Sequence, residues 1–221
     1  DLVGTEMLES AFDHMIDAQI AASARKPKKV RKKRVRRRVC QAVPDVLSAT
    51  DARILVVHGE AAPYRSGDPR SRTPIRLSAV FLNGEEVFDR MVQTGHTLKA
   101  YEAAHMGLAP HDFDSGQSLD EVMGAFSAFC DGSSEEAPLV LVFWGVWTHR
   151  WFQARMADVP CILLKGVWAN VRQDRIPGLD VVVSSLGIAI PNLPLRGRAG
   201  PRLAQAQALT RHILSGVTSA S

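Results

Sequence analysis

The chain has 221 residues, of which 46% are hydrophobic and 23% are charged, and its formal net charge is +4. This is enough apolar sequence for one core of ordinary domain size with some chain left over for tails. No apolar run approaches the ~20 residues that a membrane-spanning helix needs, so we expect no membrane partner. The cysteines Cys40, Cys130 and Cys161 are widely spaced and form no C-x-x-C pair, which favours free thiols in a reducing compartment over disulfides or zinc.

The first segment, residues 1–24, is predicted to form an amphipathic helix. Leu8, Phe12, Ile16 and Ile20 recur every four residues, and acidic side chains fall on the opposite side. An isolated helix of this length is marginal in water. Its apolar stripe therefore packs either on the body of the same chain or on a partner protein.

Residues 25–50 form a basic arm and linker. Eleven of the fourteen residues from Arg25 to Arg38 are lysine or arginine and none is acidic; without them, 16 basic residues remain against 23 acidic ones, a formal charge of −7. Such a segment cannot bury its charges, and its natural partner is a polyanion. A solvated spacer and a nuclear-import address are the alternatives. The predicted RNA contacts of the arm are Arg25, Lys26, Lys28, Lys29, Arg31, Lys32, Lys33, Arg34, Arg36, Arg37 and Arg38.

The body, residues 51–218, begins with strand patterns. Arg53–Val57 is a short β-branched run that predicts a buried strand. Ile75–Leu82 and Glu86–Gln93 flank Asn83-Gly84, the dipeptide typical of a tight hairpin turn. We therefore expect a strand followed by a β-hairpin.

Alternating helices and strands follow the hairpin. Ser118 with Glu121 three residues later is a capping box, which predicts a helix through Phe129 that ends near Gly132. The later predicted elements are a strand at Pro138–Phe143, a helix at about Thr148–Met156, a strand at Cys161–Leu164, a short helix at Leu179–Leu186 and a final helix at Ala199–Leu214. This order predicts an α/β fold with a central mixed sheet flanked by helices.

Several segments in this order resemble the DEDD 3′–5′ exonucleases of the ribonuclease H-like fold, most closely the Eri-type subgroup that acts on RNA ends. The segment V-V-H-G-E-A-A resembles the strand motif D-x-E-A-T, and Met106-Gly107-Leu108 resembles the T-G-I turn. S-L-D-E-V-M-G-A-F-S-A-F resembles the family helix S-x-x-E-V-x-x-x-F-x-x-F. Trp144-Gly145-Val146-Trp147-Thr148 resembles W-G-x-W-D, and the segment from Gly197 to Gln205 resembles G-R-x-H-x-x-x-x-D.

The resemblance implies a degenerate catalytic centre. Family members hold two divalent cations with four carboxylates and use a histidine as general base. At the carboxylate positions this chain has His58, Glu60, Thr148 and Gln205, and Gly200 stands at the position of the base. One carboxylate is a poor site for two magnesium ions, which prefer anionic oxygen ligands. We therefore expect no catalytic residue, no metal and no cofactor, and expect Glu60 to be a satisfied polar residue at a strand end.

The alternative is an active exoribonuclease that uses Mg²⁺ or Mn²⁺ through other carboxylates. The candidates are Asp51, Asp68, Asp89, Asp112 and Asp114. A working site would bring three or more carboxylates within ~4–5 Å of one point.

Two sets of arginines border the region where the family binds substrate. One set lies in and after the first loop and consists of Arg65, Arg70, Arg72 and Arg76. The other set lies at or just before the start of the last helix and consists of Arg196, Arg198 and Arg202. Both sets suit direct phosphate contact, and solvated loop charge is the alternative. We include Arg198 and Arg202 among the predicted RNA contacts. The aromatic group Trp144, Trp147, Trp151 and Phe152 is expected to pack partly in the core, and stacking of one of these tryptophans on an RNA base is the alternative.

Together these features lead us to expect an inactive exonuclease-like protein that binds RNA as a structural subunit of a large ribonucleoprotein. Long basic extensions on small degenerate domains are typical of ribosomal proteins, above all mitochondrial ones, and this step is an analogy. The expected partners are rRNA and neighbouring proteins, and the expected location is mitochondrial, with a nuclear or cytoplasmic one as the alternative. A protein-interaction module with an import signal is a further alternative.

Overall fold

The computed structural model describes residues 52–61, 74–93, 100–132, 137–172 and 177–218. The predicted helix within residues 1–24, the basic arm within residues 25–50, and the residues Asp51, Arg65, Asp68, Arg70 and Arg72 lie outside these ranges, so the predictions made for them stay predictions. The same holds for the proposed domain boundaries.

The described strands form one mixed sheet in the order β3-β2-β1-β4-β5. They are β1 (Arg53–Ala61), β2 (Pro74–Phe81), β3 (Val87–Met91), β4 (Leu139–Phe143) and β5 (Cys161–Leu163). β1 pairs antiparallel with β2, and β2 with β3. β4 runs parallel to both β1 and β5. The predicted central mixed sheet is therefore confirmed.

Helices connect and cover these strands. They are α1 (Ala100–His105), α2 (Leu119–Asp131), α3 (Val146–Gln153), α4 (Leu164–Arg172), α5 (Leu179–Ser185) and α6 (Ala199–Thr218), with a 3-10 turn at Pro110–Phe113. The capping box of α2 is present, since the Ser118 hydroxyl accepts from the Glu121 N–H and the Glu121 carboxylate accepts from the Ser118 N–H at 2.8 Å. None of the described helices is long and apolar enough to cross a membrane.

The two faces of the sheet carry separate cores because successive side chains of a strand point to opposite sides. Leu55, Val57, Leu77 and Phe88 lie on one face under α2 and α3. Aromatic rings dominate that layer, with Phe126 and Phe152 5.2 Å apart between centroids. The other face is aliphatic and packs against α5 and α6.

The hairpin between β2 and β3 differs from its prediction. β2 ends at Phe81 and β3 begins at Val87, so residues 82–86 form the connection, and Asn83-Gly84 is not a two-residue turn. Gly84 N–H donates to Phe81 O at 3.1 Å. Tertiary contacts hold the longer loop: on α6, the Gln207 amide donates to Phe81 O at 2.9 Å, and the Arg211 guanidinium donates to Leu82 O at 2.8 Å.

Candidate functional site

Polar side chains replace apolar ones at the carboxyl end of β1. His58 and Glu60 lie on the same face of the strand as Val56, opposite Ser78 and Arg76 of β2. The His58 and Glu60 side chains are 18% and 9% exposed, and His58 Nε2 lies 3.8 Å from Glu60 Oε1. Neither His58 Nε2 nor Glu60 Oε2 has a hydrogen-bond partner within the described part of the chain. The expectation that Glu60 is a satisfied polar residue is therefore not met.

A buried ion pair lies beside these two residues. The Arg76 guanidinium, 2% exposed, donates to both carboxylate oxygens of Asp89 at 2.8 and 2.9 Å. It also donates to Arg196 O at 3.0 Å, and the Ser78 hydroxyl donates to Asp89 at 2.7 Å. Burial acts to lower the pKa of Arg76, but the hydrogen bonds and charge of Asp89, together with the charges of Glu60 and Asp112, outweigh it, so the net pKa is raised.

This ion pair corrects two expectations. Arg76 is neither a phosphate contact nor a solvated loop charge, because its donors are taken by Asp89 and by the backbone of Arg196. Asp89, a candidate carboxylate for an alternative metal site, is bound by Arg76 and Ser78. Sequence reasoning missed the pair because its members are 13 residues apart and meet only through the register of the hairpin.

Thr148 joins the site from the other side of β1. Its side chain is buried, and its hydroxyl donates to Gly59 O at 3.3 Å. A Cβ on Gly59 would lie 2.9 Å from Thr148 Cγ2, so the two residues are in close contact. The structure thus brings Thr148 to the segment that holds His58 and Glu60, as the resemblance implies, and the hydroxyl there is a hydrogen-bond donor to the backbone.

Gly200 and Gln205 lie on α6, at the positions that the resemblance assigns to the base and to the last carboxylate. Gly200 is buried, and a Cβ there would lie 2.8 Å from Leu195 O and 3.2 Å from Leu195 Cβ. A histidine could not occupy this position unless Leu195 moved. Gln205 is half-buried. The neighbouring Gln207, which sequence reasoning did not select, is buried, and its amide donates to Phe81 O and Leu82 O.

The donor set does not fit a pair of magnesium ions. No group of three or more His, Cys, Asp or Glu side chains within the described ranges is arranged to hold a metal ion. Glu60 is the carboxylate at the end of β1, while Asp112 accepts from the Ala109 N–H at 2.8 Å in the 3-10 turn. His58 and Glu60 alone offer two ligands, and octahedral magnesium prefers several anionic or neutral oxygens.

The turns at Gly107 and Gly197 pack against each other near the start of α6. Gly107 and Gly197 both have positive φ, 65° and 63°, a backbone conformation that glycine adopts without steric cost. A Cβ on Gly197 would lie 2.9 Å from Gly107 O, and Arg198 N–H donates to Met106 O at 2.9 Å. The T-G-I-like turn and the G-R motif are therefore packed backbone to backbone.

This packing places Arg198 against the end of α1. Arg198 Nη1 lies 2.5 Å from His105 Nε2. His105 is exposed and Arg198 is half-buried. Arg202 follows one helical turn later and is half-buried as well. These two predicted RNA contacts thus lie on one side of the start of α6, and His105 joins them from a helix that is distant in sequence.

The remaining candidates differ in how far they are buried. His149 lies against Phe143 with ring centroids 5.7 Å apart, and burial lowers its pKa. Trp151 and Phe152 are buried, whereas Trp144 and Trp147 are half-buried. Burial raises the pKa of the free thiol of Cys130 to about 12, and it raises that of Cys161 to about 11. Neither thiol is ionised near neutral pH.

Comparison with known proteins supports the fold by structure and not by sequence. No protein-family model and no curated protein sequence matches the chain. A structure titled "3'-end specific recognition of histone mRNA stem-loop by 3'-exonuclease" is similar with a TM-score of 0.56 and 15% identity, over 76% of this chain and 82% of that one.

Two further structures are similar over less of their own length. A full-length 3′-exonuclease gives a TM-score of 0.56 at 15% identity, over 76% of this chain and 61% of that one. Cell-death related nuclease 4 (CRN-4) gives 0.53 at 13% identity, over 74% and 64%. The chain therefore spans less than two thirds of both proteins. At these identities the likeness establishes architecture alone: the body of this chain has the ribonuclease H-like fold of the DEDD-type 3′-exonucleases.

Proposed function

We propose that this protein is a catalytically inactive exonuclease-like protein that binds RNA as a structural subunit of a large ribonucleoprotein. The proposed inactivity rests on the side chains that are available as metal ligands at the end of β1. Glu60 is accompanied there by His58 and by Thr148, whose hydroxyl donates to Gly59 O. The closest further carboxylate in the sheet register, Asp89, is neutralised by Arg76.

The position of the general base supports the same conclusion. Gly200 has no side chain that could move a proton, and the backbone of Leu195 closes the space next to it. Two independent parts of the exonuclease machinery, the metal ligands and the base, are thus both missing at the corresponding positions. A chain under selection for hydrolysis would need each of them.

RNA as the partner follows from the basic arm and from the fold. Eleven cationic residues between Arg25 and Arg38 would release counterions from the phosphate backbone on binding. A structural neighbour is described as recognising an RNA stem-loop, which supports RNA as the polyanion. The combination of a degenerate enzyme fold with a basic extension is typical of mitochondrial ribosomal proteins, so we propose rRNA, neighbouring ribosomal proteins and a mitochondrial location.

The role of the arm is tested by filter binding of a single-stranded RNA at about 50 and about 200 mM salt. For Z phosphates neutralised, the slope of log affinity against log salt is about −0.7Z on a single strand. We expect deletion of Arg25–Arg38 to reduce affinity by orders of magnitude at the lower salt and to flatten the slope. In a second variant of unchanged length, the eleven basic residues between Arg25 and Arg38 are replaced by glutamine. Affinity unchanged by either variant would contradict the role of the arm.

The ribonucleoprotein role needs a second experiment. A tagged full-length chain should co-sediment with an rRNA-containing particle of mitochondrial extracts in a sucrose gradient, and ribonuclease treatment should move it to the top. Cofractionation with nuclei or cytosol would contradict the mitochondrial part of the proposal. A chain that sediments alone before ribonuclease treatment would contradict the subunit role.

A further inference from the structure

Arg155 covers a buried tryptophan just after the end of α3. Its guanidinium carbon lies 4.0 Å from the centroid of the Trp151 ring, which is van der Waals contact for a guanidinium that stacks on an aromatic face. Arg155 is exposed, whereas Trp151 is only 8% exposed. One face of the guanidinium therefore meets the ring, and the other face is turned towards solvent.

The core and the backbone fix the position of this stack. The Trp151 ring packs edge-on against Phe152 with ring centroids 5.1 Å apart, and Phe152 is fully buried. The N–H of Arg155 donates to Phe152 O at 2.9 Å, and its Nη1 lies 3.5 Å from Trp151 O. Because the guanidinium is already held against a ring of the core, little side-chain freedom is left to lose when a ligand binds to it.

The charge around Arg155 suits an anionic partner, although the body as a whole is acidic. Residues 150–168 contain Arg150, Arg155 and Lys165 but one acidic residue, Asp158. Asp158 is exposed, and within the described ranges no ion pair involves Arg155. The guanidinium thus keeps its charge available next to its flat outer face.

Direct stacking of an RNA base on Trp151 is not open to this chain. Arg155 covers the ring on one side, and the core encloses it on the other. Bases of single-stranded RNA also stack on guanidinium planes, where the positive charge adds cation–π attraction. The exposed guanidinium therefore offers the flat surface that the buried ring cannot.

We propose that Arg155, backed by Trp151, is a stacking platform for one unpaired base of RNA. The base would lie on the outward face of the guanidinium and complete a stack of indole, guanidinium and base. The platform lies beyond the end of α3, whereas Thr148 lies in its first turn, about 10 Å away along the helix axis. It is therefore distinct from the degenerate catalytic positions. The choice of RNA as the ligand rests on the proposed function.

Stacking and phosphate contact place different demands on Arg155. A phosphate contact needs a positive charge, which lysine also supplies, whereas stacking needs the planar guanidinium. Loss of a phosphate contact would reduce the slope of log affinity against log salt by about 0.7 on a single strand. Loss of stacking leaves the number of neutralised phosphates unchanged. The variant Arg155→Lys therefore separates the two kinds of contact.

The experiment compares two ligands of equal phosphate number, a short oligoadenylate and an oligomer of abasic ribose phosphates. Filter binding to the full-length chain is measured for both at about 50 and about 200 mM salt. We expect Arg155→Lys to lower the affinity for the oligoadenylate about five- to tenfold. The affinity for the abasic oligomer should stay within about twofold, and both salt slopes should be unchanged.

The matched control is Arg150→Lys, because Arg150 is an exposed arginine on the same helix and has no described ring contact. It should change neither affinity by more than about twofold. An Arg155→Lys variant that binds the oligoadenylate as tightly as the original chain overturns the proposal. Equal losses for the two oligomers, or an equal loss in Arg150→Lys, would indicate a charge effect and overturn it as well.

The platform and the proposed function fail in different ways. Deletion of Arg25–Arg38 should lower the affinity for both oligomers while Arg155→Lys still weakens binding of the oligoadenylate alone. If the deletion has no effect but Arg155→Lys does, the role of the arm fails and the platform stands. If the full-length chain binds neither oligomer, both fail. If Arg155→Lys loosens co-sedimentation with a ribosomal particle but leaves RNA binding unchanged, the platform contacts a protein and the RNA base is wrong.

Discussion

Replacing Arg76 by methionine should destabilise the body by about 3 kcal/mol. Arg76 is 2% exposed and donates to both oxygens of Asp89. Removing one partner of a buried, hydrogen-bonded ion pair costs about 3–5 kcal/mol because the other charge is left uncompensated. The Asp89 side chain is 30% exposed, so water can solvate it in part, and the cost should fall at the lower end of that range.

A variant of the other partner, Asp89, tests the same ion pair. Asp89→Asn leaves the guanidinium of Arg76 with only the charges of Glu60 and Asp112, and since this group is far less exposed than Asp89, the loss of unfolding free energy should be of similar size. The double variant Arg76→Met with Asp89→Leu should lose less than the sum of the two single losses, with a coupling energy of about 2–3 kcal/mol. Urea unfolding followed by circular dichroism measures all three free energies.

The matched control is Arg90→Met on the neighbouring strand. Arg90 is exposed, donates to a backbone carbonyl and lies over the Phe88 ring, so its replacement should cost less than about 1 kcal/mol. Equal losses for Arg76→Met and Arg90→Met would refute the reasoning, since burial and bidentate pairing would then contribute nothing.

Three further predictions concern the body. Gly200→His should destabilise it by about 1–3 kcal/mol in urea unfolding, because its Cβ would meet Leu195 O and overpacking has this cost; an unchanged free energy would show that the space is open. Burial lowers the pKa of His149, so the unfolded chain binds more protons and stability should fall as pH drops below about 6.5. His149→Leu should weaken the fall measured between about pH 7.5 and about pH 5.5, and an identical fall would contradict this assignment. Gln207→Leu removes the amide that donates to Phe81 O and should cost about 1–3 kcal/mol; thermal melting with no shift would contradict the anchoring role of α6.

Local patterns were sufficient to predict most elements of the sheet and the long helices. The capping box at Ser118 and the β-branched runs of β1 and β4 are signals within a few residues of chain. α4 was missed because it begins directly after β5 and its sequence, L-K-G-V-W-A-N-V-R, contains a glycine and β-branched residues, which lower helix propensity. β1 proved longer than predicted because polar residues continue its pairing with β2 as far as Glu60 and Ala61.

The site was predictable only where a motif was contiguous. His58 and Glu60 are two residues apart on one strand, and their shared face follows from the strand period. The contact of Thr148 with Gly59 spans 89 residues and that of Arg198 with His105 spans 93, so both depend on how the elements pack. The proximity of Arg76 and Asp89 could have been predicted from the strand register, because Ser78 faces Asp89 once Val80 is paired with Val87.

The central claim is that an exonuclease fold remains without its chemistry. Its most direct test is degradation of a 5′-labelled single-stranded RNA by the purified full-length chain with Mg²⁺ and separately with Mn²⁺, beside a Glu60→Gln variant. We expect both proteins to leave the RNA intact with either metal while still binding it. Stepwise shortening from the 3′ end that is lost in Glu60→Gln would show a working metal site at the end of β1 and would contradict the proposed inactivity.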